Sequence, residues 1–313
     1  MAKHKNADLE TSGPQDNQEN NQFVPESTPS TLASKVAAGL YIVATPIGNA
    51  QDITLRALSL LKQADTILCE DTRVTAKLLM IHGISKKKCH AYHEHNAEKM
   101  RPKVLDKLNS GEVVVLVSDA GTPLINDPGY KLVRECNELG LPYTTAPGAS
   151  SVITAMVLSG LPSDRFLYLG FLPNKTVARK KALEEVKSVR ATLITLESPR
   201  RVAACLKDMA DVLGNREAAV TRELTKRYEE VRRAPLPELA ELYQNEVVRG
   251  EVVLVVGPPD ESVNETSAED LDSLLENALA RLSVRDAVAE VVDATGLKKR
   301  AVYNRALELT KES

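Results

Sequence analysis

Short, β-branched apolar runs recur along the chain, each ending in a polar loop and followed by residues with helical spacing. Such runs predict buried strands, and the spacing between them predicts amphipathic helices. Leu40 to Ala44 is the first strand, ending in a turn at Pro46, Gly48 and Asn49. Asp52 is placed to cap the next helix, with Ile53, Leu55, Leu58 and Leu61 on its inner side. Ala64 to Arg73 repeats the plan as a strand running into an acidic loop. Helices are predicted over Lys77 to His82, Glu98 to Leu108 and Tyr130 to Leu139, and strands over Cys89 to Tyr92, Val113 to Val117 and Leu141 to Ala146. This alternation implies a parallel sheet covered by helices on both faces.

A second unit follows the same grammar. Ser150 to Ser159, Val177 to Lys187, Arg200 to Leu213 and Leu236 to Gln244 are expected helices. Phe166 to Phe171, Ala191 to Glu197, Ala218 to Arg222 and Glu251 to Val256 are expected strands. From Leu271 the pattern is purely helical. The expected division is therefore a disordered tail at 1–37, α/β domains at 38–148 and 149–258, a linker at 259–270 and a helical extension at 271–313. The tail is rich in Asn, Gln, Glu, Ser and Pro and has too few apolar residues to form a core. Without an apolar central region it is not a secretory signal.

Composition narrows the classes. At 43% hydrophobic residues, the 313-residue chain can fill a sizeable core, and the absence of Trp and the three Phe make that core aliphatic. A net charge of −3 argues against coating by nucleic acid as a whole but permits local basic patches. No apolar run is long enough for a transmembrane helix. Cys69, Cys89, Cys136 and Cys205 lie far apart without a CxxC pair, as in a reduced cytosolic protein.

The candidate chemistry sits where strands end. Ser118, Asp119, Ala120, Gly121 and Thr122 follow the strand at 113–117, and a second Asp-Pro-Gly closes the loop at Gly129. Backbone amides and a carboxylate at a strand's C-terminal end suit a ligand site in an open α/β sheet, although a plain strand-to-helix turn would use the same residues. TPIGN at 45–49 is not the dinucleotide fingerprint GxGxxG. Glu70, Asp71 and Arg73 could provide a base or bind a ribose, or Asp71 and Arg73 could merely satisfy each other. In HAYHEH, His93 and His95 share a face while His90 points away, so no metal is expected. His93, His95 and Asn96 are instead read as a substrate-facing polar loop. Basic clusters at Arg179 to Lys181, Arg200–Arg201, Arg222 to Arg227, Arg232–Arg233 and Lys298 to Arg300 suggest an anionic contact. At the C-terminus, Ser283 caps one helix, Gly296 breaks it, and a basic second helix carries Lys298, Lys299, Arg300 and Arg305, which is helix-turn-helix spacing. A helical hairpin capping the fold or a dimer has the same pattern.

TPIGN, EDTR, HEHN, SDAGTPLINDPG, PGAS, LPSDRFLYLGFLP, ESPRR, RELTK and RGEVVLVV occur in this order. Together they closely resemble the ribosomal RNA small subunit methyltransferase I family of the tetrapyrrole methylase superfamily. The match runs from about Gly39 to Val256, and the tail resembles that family's helix-turn-helix extension. The resemblance implies a two-domain tetrapyrrole-methylase-like α/β fold with a small all-α C-terminal extension. It implies S-adenosyl-L-methionine-dependent 2′-O-methylation of a cytidine in the decoding region of 16S rRNA in the small ribosomal subunit, by a cytoplasmic homodimer with no membrane or DNA partner.

By this resemblance the methyl donor lies between the domains. Ile47 stands where the superfamily has Pro, and Ser118 and Asp119 stand in its GGD position, leading into Ala120, Gly121 and Thr122. Ser150 and Ser151 match its Thr-Ala, and Leu196 or Glu197 matches a cofactor-binding Met, with Glu197 taken as the contact. Glu70 or Asp71 matches a proposed base, with Arg73 beside it, and Arg201 joins the basic residues as an RNA contact. The superfamily's other activity, methylation of a corrin or porphyrin, is the alternative, but it needs no basic helical extension. A regulator that binds nucleic acid through the C-terminal helices alone would leave the long α/β body without a role.

Overall fold

The computed structural model describes residues 35–85, 87–259, 268–295, 297 and 299–312. The expected tail up to residue 34, most of the expected linker, and the residues Gly296 and Lys298 lie outside the described residues. The first sheet has the order β3-β2-β4-β1-β5, with β1 Gly39–Val43, β2 Thr66–Cys69, β3 Cys89–Ala91, β4 Val113–Leu116 and β5 Tyr143–Ala146. All its pairings are parallel, as the alternating pattern implies. β2 and β4 are buried along their whole length, which is why they read as unbroken apolar runs.

The two faces divide by the two-residue period of a strand. Val43, Ile67 and Val115 pack with α1 (Leu55–Gln63) and α2 (Thr72–Ile81), whereas Ile42, Leu68 and Leu116 pack with α3 (Ala97–Asn109) and α4 (Tyr130–Glu138). The start of α1 corrects an expectation. Thr54, not Asp52, is the cap, its hydroxyl accepting the Ala57 N–H, and Asp52 closes a separate 3-10 turn. The helix consequently turns Ala57, Leu60 and Leu61 inward and leaves Leu55 68% exposed.

The second sheet has the order β6-β7-β10-β8-β9, with β6 Phe166–Phe171, β7 Thr192–Glu197, β8 Glu217–Arg222, β9 Glu230–Pro235 and β10 Val252–Val256. β6 and β7 are parallel and the other pairings are antiparallel. The edge strand β9 escapes pattern reading because its Arg232 and Arg233 interrupt the apolar signal. α5 (Ser151–Ser159) covers one face of this sheet, and α6 (Thr176–Val186), α7 (Val202–Leu213) and α8 (Leu236–Tyr243) cover the other. At the C-terminus, α9 (Ala268–Leu279), α10 (Val284–Thr295) and α11 (Lys299–Glu312) share a separate core of Leu275, Ala278, Ala287, Val288, Val291, Val302 and Ala306. Cys69, Cys136 and Cys205 are buried and unbridged. No described helix is long and apolar enough to cross a membrane.

Arg179, expected in a basic cluster, is 2% exposed and paired with Asp208 at 2.6 Å between α6 and α7. Its guanidinium also reaches the carbonyls of Pro173 and Asn174. Removing one member of such a pair strands a buried charge, at a cost of about 3–5 kcal/mol. Asp208→Ala should therefore lower the stability measured in denaturant unfolding by about that amount. Lys180→Ala should have far less effect, because Lys180 is 37% exposed and its partner Asp211 lies at the surface.

Candidate active site

The loop after β4 is tied on several sides. Thr45 N–H donates to the Gly121 carbonyl at 2.9 Å, and Gly121 N–H returns to the Thr45 carbonyl at 3.0 Å. The Thr45 hydroxyl donates to the Ser118 carbonyl, and the buried Ser118 hydroxyl turns back toward the Ala120 and Gly121 carbonyls. Thr122 Oγ1 donates to the Ala149 carbonyl at 3.0 Å, which joins the loop to the start of α5. Asp119 Oδ1 accepts the Asp71 N–H at 3.0 Å. The loops following β1, β2, β4 and β5 thus meet around Ser118 to Thr122. Gly121 has φ +81°, and Leu124 (+75°) and Asn126 (+65°) are left-handed although they carry side chains. Such strain persists where surrounding contacts fix the backbone, often at functional sites.

Asp71 caps α2 by accepting the Arg73 N–H at 2.8 Å, and its carboxylate is gripped by the Arg73 guanidinium. That hydrogen bond holds the Asp71 carboxyl down at about 2. Glu70 is shifted the other way, raised by burial and by the nearby Asp119 charge. Of this pair, Glu70 is therefore the stronger base near neutral pH. Asp127 joins them: burial and the charges of Glu70 and Asp119 push its carboxyl up to about 6, against an opposing hydrogen bond from Ser118. In sequence Asp127 only closes the loop at a second Asp-Pro-Gly; its closeness to Glu70 and Asp119 is a property of the fold.

The second sheet's loops meet the first sheet's at two points. Asn49 N–H donates to Thr225 Oγ1 at 3.0 Å, and a Cβ on Gly48 would come within 2.5 Å of the Lys226 side chain. Tyr168 on β6 donates its hydroxyl to Asn126 Oδ1 at 2.6 Å. Ile47 is buried against Val152, Met156, Ile194, Leu224 and Val253, so it acts as an apolar plug between the units. Ser150 caps α5, and Ser151 begins that helix. Glu197 points away from this meeting place. It lies on the α7 face of β7, fully enclosed, with its carboxylate on Arg201 and on the Ser198 N–H. The adjacent Leu196 packs with the cluster around Ile47. In a strand, neighbouring side chains take opposite faces, so only Leu196 of the two faces the Ile47 cluster.

The remaining sequence-selected residues are distributed as follows. Asn96 straps its own loop, accepting the His93 N–H and donating to the Ala91 carbonyl, each at 2.9 Å. His95 is exposed and meets His93 edge to face at 5.9 Å. Arg201 braces the Leu172 carbonyl and the Asn174 side chain. Arg222 and Arg232 pair with Glu230, Lys226 with Glu223, and Arg233 binds the last carbonyls of α5. Most of the anticipated cationic surface is thus neutralised internally. Lys181, Arg200 and Arg227 remain exposed. Lys299 and Arg300 are exposed at the start of α11, whereas Arg305 is bound to Asp272 and Glu308.

Comparison with known proteins agrees with this architecture. The family of tetrapyrrole (corrin/porphyrin) methylases matches residues 39–240, and the RsmI C-terminal HTH domain matches 265–310. Among solved structures, cobalt precorrin-4 methyltransferase superposes with a TM-score of 0.52 at 21% identity, covering 70% of this chain and 94% of that one. Diphthine synthase gives 0.55 at 15% identity, covering 70% and 89%. These likenesses establish the fold. The ribosomal RNA small subunit methyltransferase I of Mesorhizobium japonicum is 47% identical over 88% of this chain and 94% of its own. That of Vibrio cholerae is 45% identical over 86% and 94%. With such identity along most of its length, this chain belongs to the ribosomal RNA small subunit methyltransferase I family.

Proposed function

We propose that the protein transfers a methyl group from S-adenosylmethionine to the 2′-oxygen of a cytidine in the decoding region of 16S rRNA, acting in the cytoplasm on the small ribosomal subunit. The observation that carries this reading is the interlaced loop at Ser118 to Thr122, beside a carboxylate with a raised pKa. When bound, the donor supplies an electrophilic methyl carbon on a sulfonium. The residues present suit such a ligand. Asp119 offers its second carboxylate oxygen to a ribose hydroxyl, Ala120 is exposed beside it, and the α5 N-terminus at Ser150 and Ser151 favours a carboxylate. Leu196, rather than Glu197, borders the crevice from the second sheet. Glu70 accepts the proton released by the attacking hydroxyl, and Arg73 and Asp71 shape the approach. Because the reaction is a direct displacement, alignment supplies much of the rate.

Asp119→Ala should weaken S-adenosylmethionine binding about tenfold or more in calorimetry, the scale of a lost hydrogen bond to a charged group, with the melting transition intact. Glu70→Gln should leave that affinity unchanged and lower kcat about 100-fold. In the parent enzyme, activity should rise with pH through a pKa above the usual Glu value, because the base works deprotonated. Mass spectrometry of treated small-subunit RNA should find 2′-O-methylcytidine. A methyl group on a base, or none, refutes the assignment.

The helical extension is read as an RNA contact made by Lys299 and Arg300. Replacing both with Ala should flatten the dependence of log affinity on log salt by about 1.5, for two lost phosphate contacts. An unchanged slope in binding titrations would favour a capping role.

The homodimer reading is supported by α5, which is apolar on every side yet leaves Ile153 49% and Val157 73% exposed. Val157→Glu should convert the dimer to a folded monomer in light scattering. A variant that remains dimeric places the interface elsewhere.

A further inference from the structure

A cavity of about 540 Å³ opens beside the Asp119 loop, between the ends of β2 to β4 and the starts of α3 and α4. Its size is typical of a small-molecule site. Glu70 and Asp127, both half-buried, line it, so it is continuous with the proposed site of methyl transfer. Glu94 and Glu98 add two further, exposed carboxylates. Two cations line it. Arg101 is already bound to Glu135 at 2.5 Å, which leaves Lys131, exposed at the start of α4. The interior is therefore net negative and repels phosphate. A polyanion can enter only with a neutral part that presents hydrogen-bond donors. Tyr130, 65% exposed, offers an aromatic face at the same opening.

These features together point to a nucleobase. A carboxylate accepts from an exocyclic amine, as Asp and Glu do from cytosine N4, and unstacked bases are recognised on aromatic side chains. We propose that this cavity is the acceptor-base pocket: an everted cytosine enters it, Asp127 accepts a hydrogen bond from N4, and Tyr130 covers the ring. The ribose then lies at the Glu70 end, beside the Asp119 loop, and Lys131 at the rim meets the neighbouring phosphate. Uracil presents a carbonyl oxygen where cytosine presents N4, so it sets two acceptors against each other. Asp127 is thereby a specificity-determining residue. This inference rests on the methyltransferase reading above and adds the site of base selection to it.

The test uses full-length protein, S-adenosylmethionine and small subunits reconstituted with transcripts that carry C or U at the mapped acceptor position. The parent enzyme should favour C by about 10- to 100-fold in kcat/KM, the scale of one good base-edge contact. Asp127→Asn should collapse that ratio toward one and leave S-adenosylmethionine affinity unchanged. Its melting temperature above pH 6 should not fall. A carboxyl whose folded-state pKa is raised stabilises the native protein only while protonated, and that contribution is gone once pH exceeds about 6. Tyr130→Ala, at an exposed position, should raise KM for the subunit and preserve the C-over-U ratio. A ratio retained in Asp127→Asn, or a KM unchanged in Tyr130→Ala, overturns the base pocket while the methyltransferase reading stands. If the parent enzyme methylates neither substrate, that reading fails and the pocket assignment fails with it.

Discussion

Two backbone hydrogen bonds between Thr45 and Gly121 govern the geometry of the proposed site. They join loops that leave adjacent parallel strands, and they require the left-handed backbone that Gly121 adopts. The constraint at Gly121 is therefore its left-handed backbone, and Ile47, the apolar plug between the two α/β units, lies within ordinary contact of it. Asp119 then reaches the Asp71 amide, and that contact brings the second loop's acid, Glu70, close enough to feel the Asp119 charge. The raised Glu70 and Asp127 pKa values are consequences of backbone lacing. They arise because three carboxylates are held together in a partly desolvated corner.

The basic residues show the opposite logic. Arg179, Arg201, Arg222, Arg232 and Arg233 look in sequence like a surface for phosphate, yet each has a partner in the fold. Guanidinium groups suit this work because they bridge several acceptors in fixed directions. Arg179 alone spans Asp208 and two loop carbonyls. A count of basic residues therefore overstates the surface left for RNA. What remains of these clusters among the described residues, Lys181, Arg200, Arg227, Lys299 and Arg300, is sparse.

The parallel sheet is legible because its inner strands β2 and β4 are buried on both faces and read as uninterrupted apolar runs. β9 is not, since an edge strand need not be apolar and its arginines serve partners elsewhere. The α1 start was misread at Asp52 because a short 3-10 turn intervenes before Thr54. At the site, Ser118 and Asp119 were recoverable as residues ending a buried strand. Glu197 was not separable from Leu196, because a motif gives a position in sequence whereas the face depends on strand parity. Asp127 and Tyr168 were out of reach for a different reason. The importance of Asp127 lies in its distance from Glu70 and Asp119, and that of Tyr168 in its bond to Asn126 across the two sheets. Neither is a local property of the sequence.

An acidic cavity within an RNA-modifying fold is consistent once attraction and selection are assigned to different places. Phosphate attraction is long-ranged and blind to sequence, so it serves best on exposed surfaces such as the start of α11. Base selection needs short-range hydrogen bonds in a site that phosphates do not enter. Negative charge on the cavity lining supplies that exclusion: phosphates are held at the rim while the neutral base and its ribose pass inward. Burial and the neighbouring Asp119 charge raise the pKa of Glu70, which makes it a stronger base for a ribose proton. One cluster of carboxylates can therefore choose the base and tune the acid–base chemistry. The two roles are compatible because the proposed base pocket and methyl-transfer site share Glu70 at their boundary.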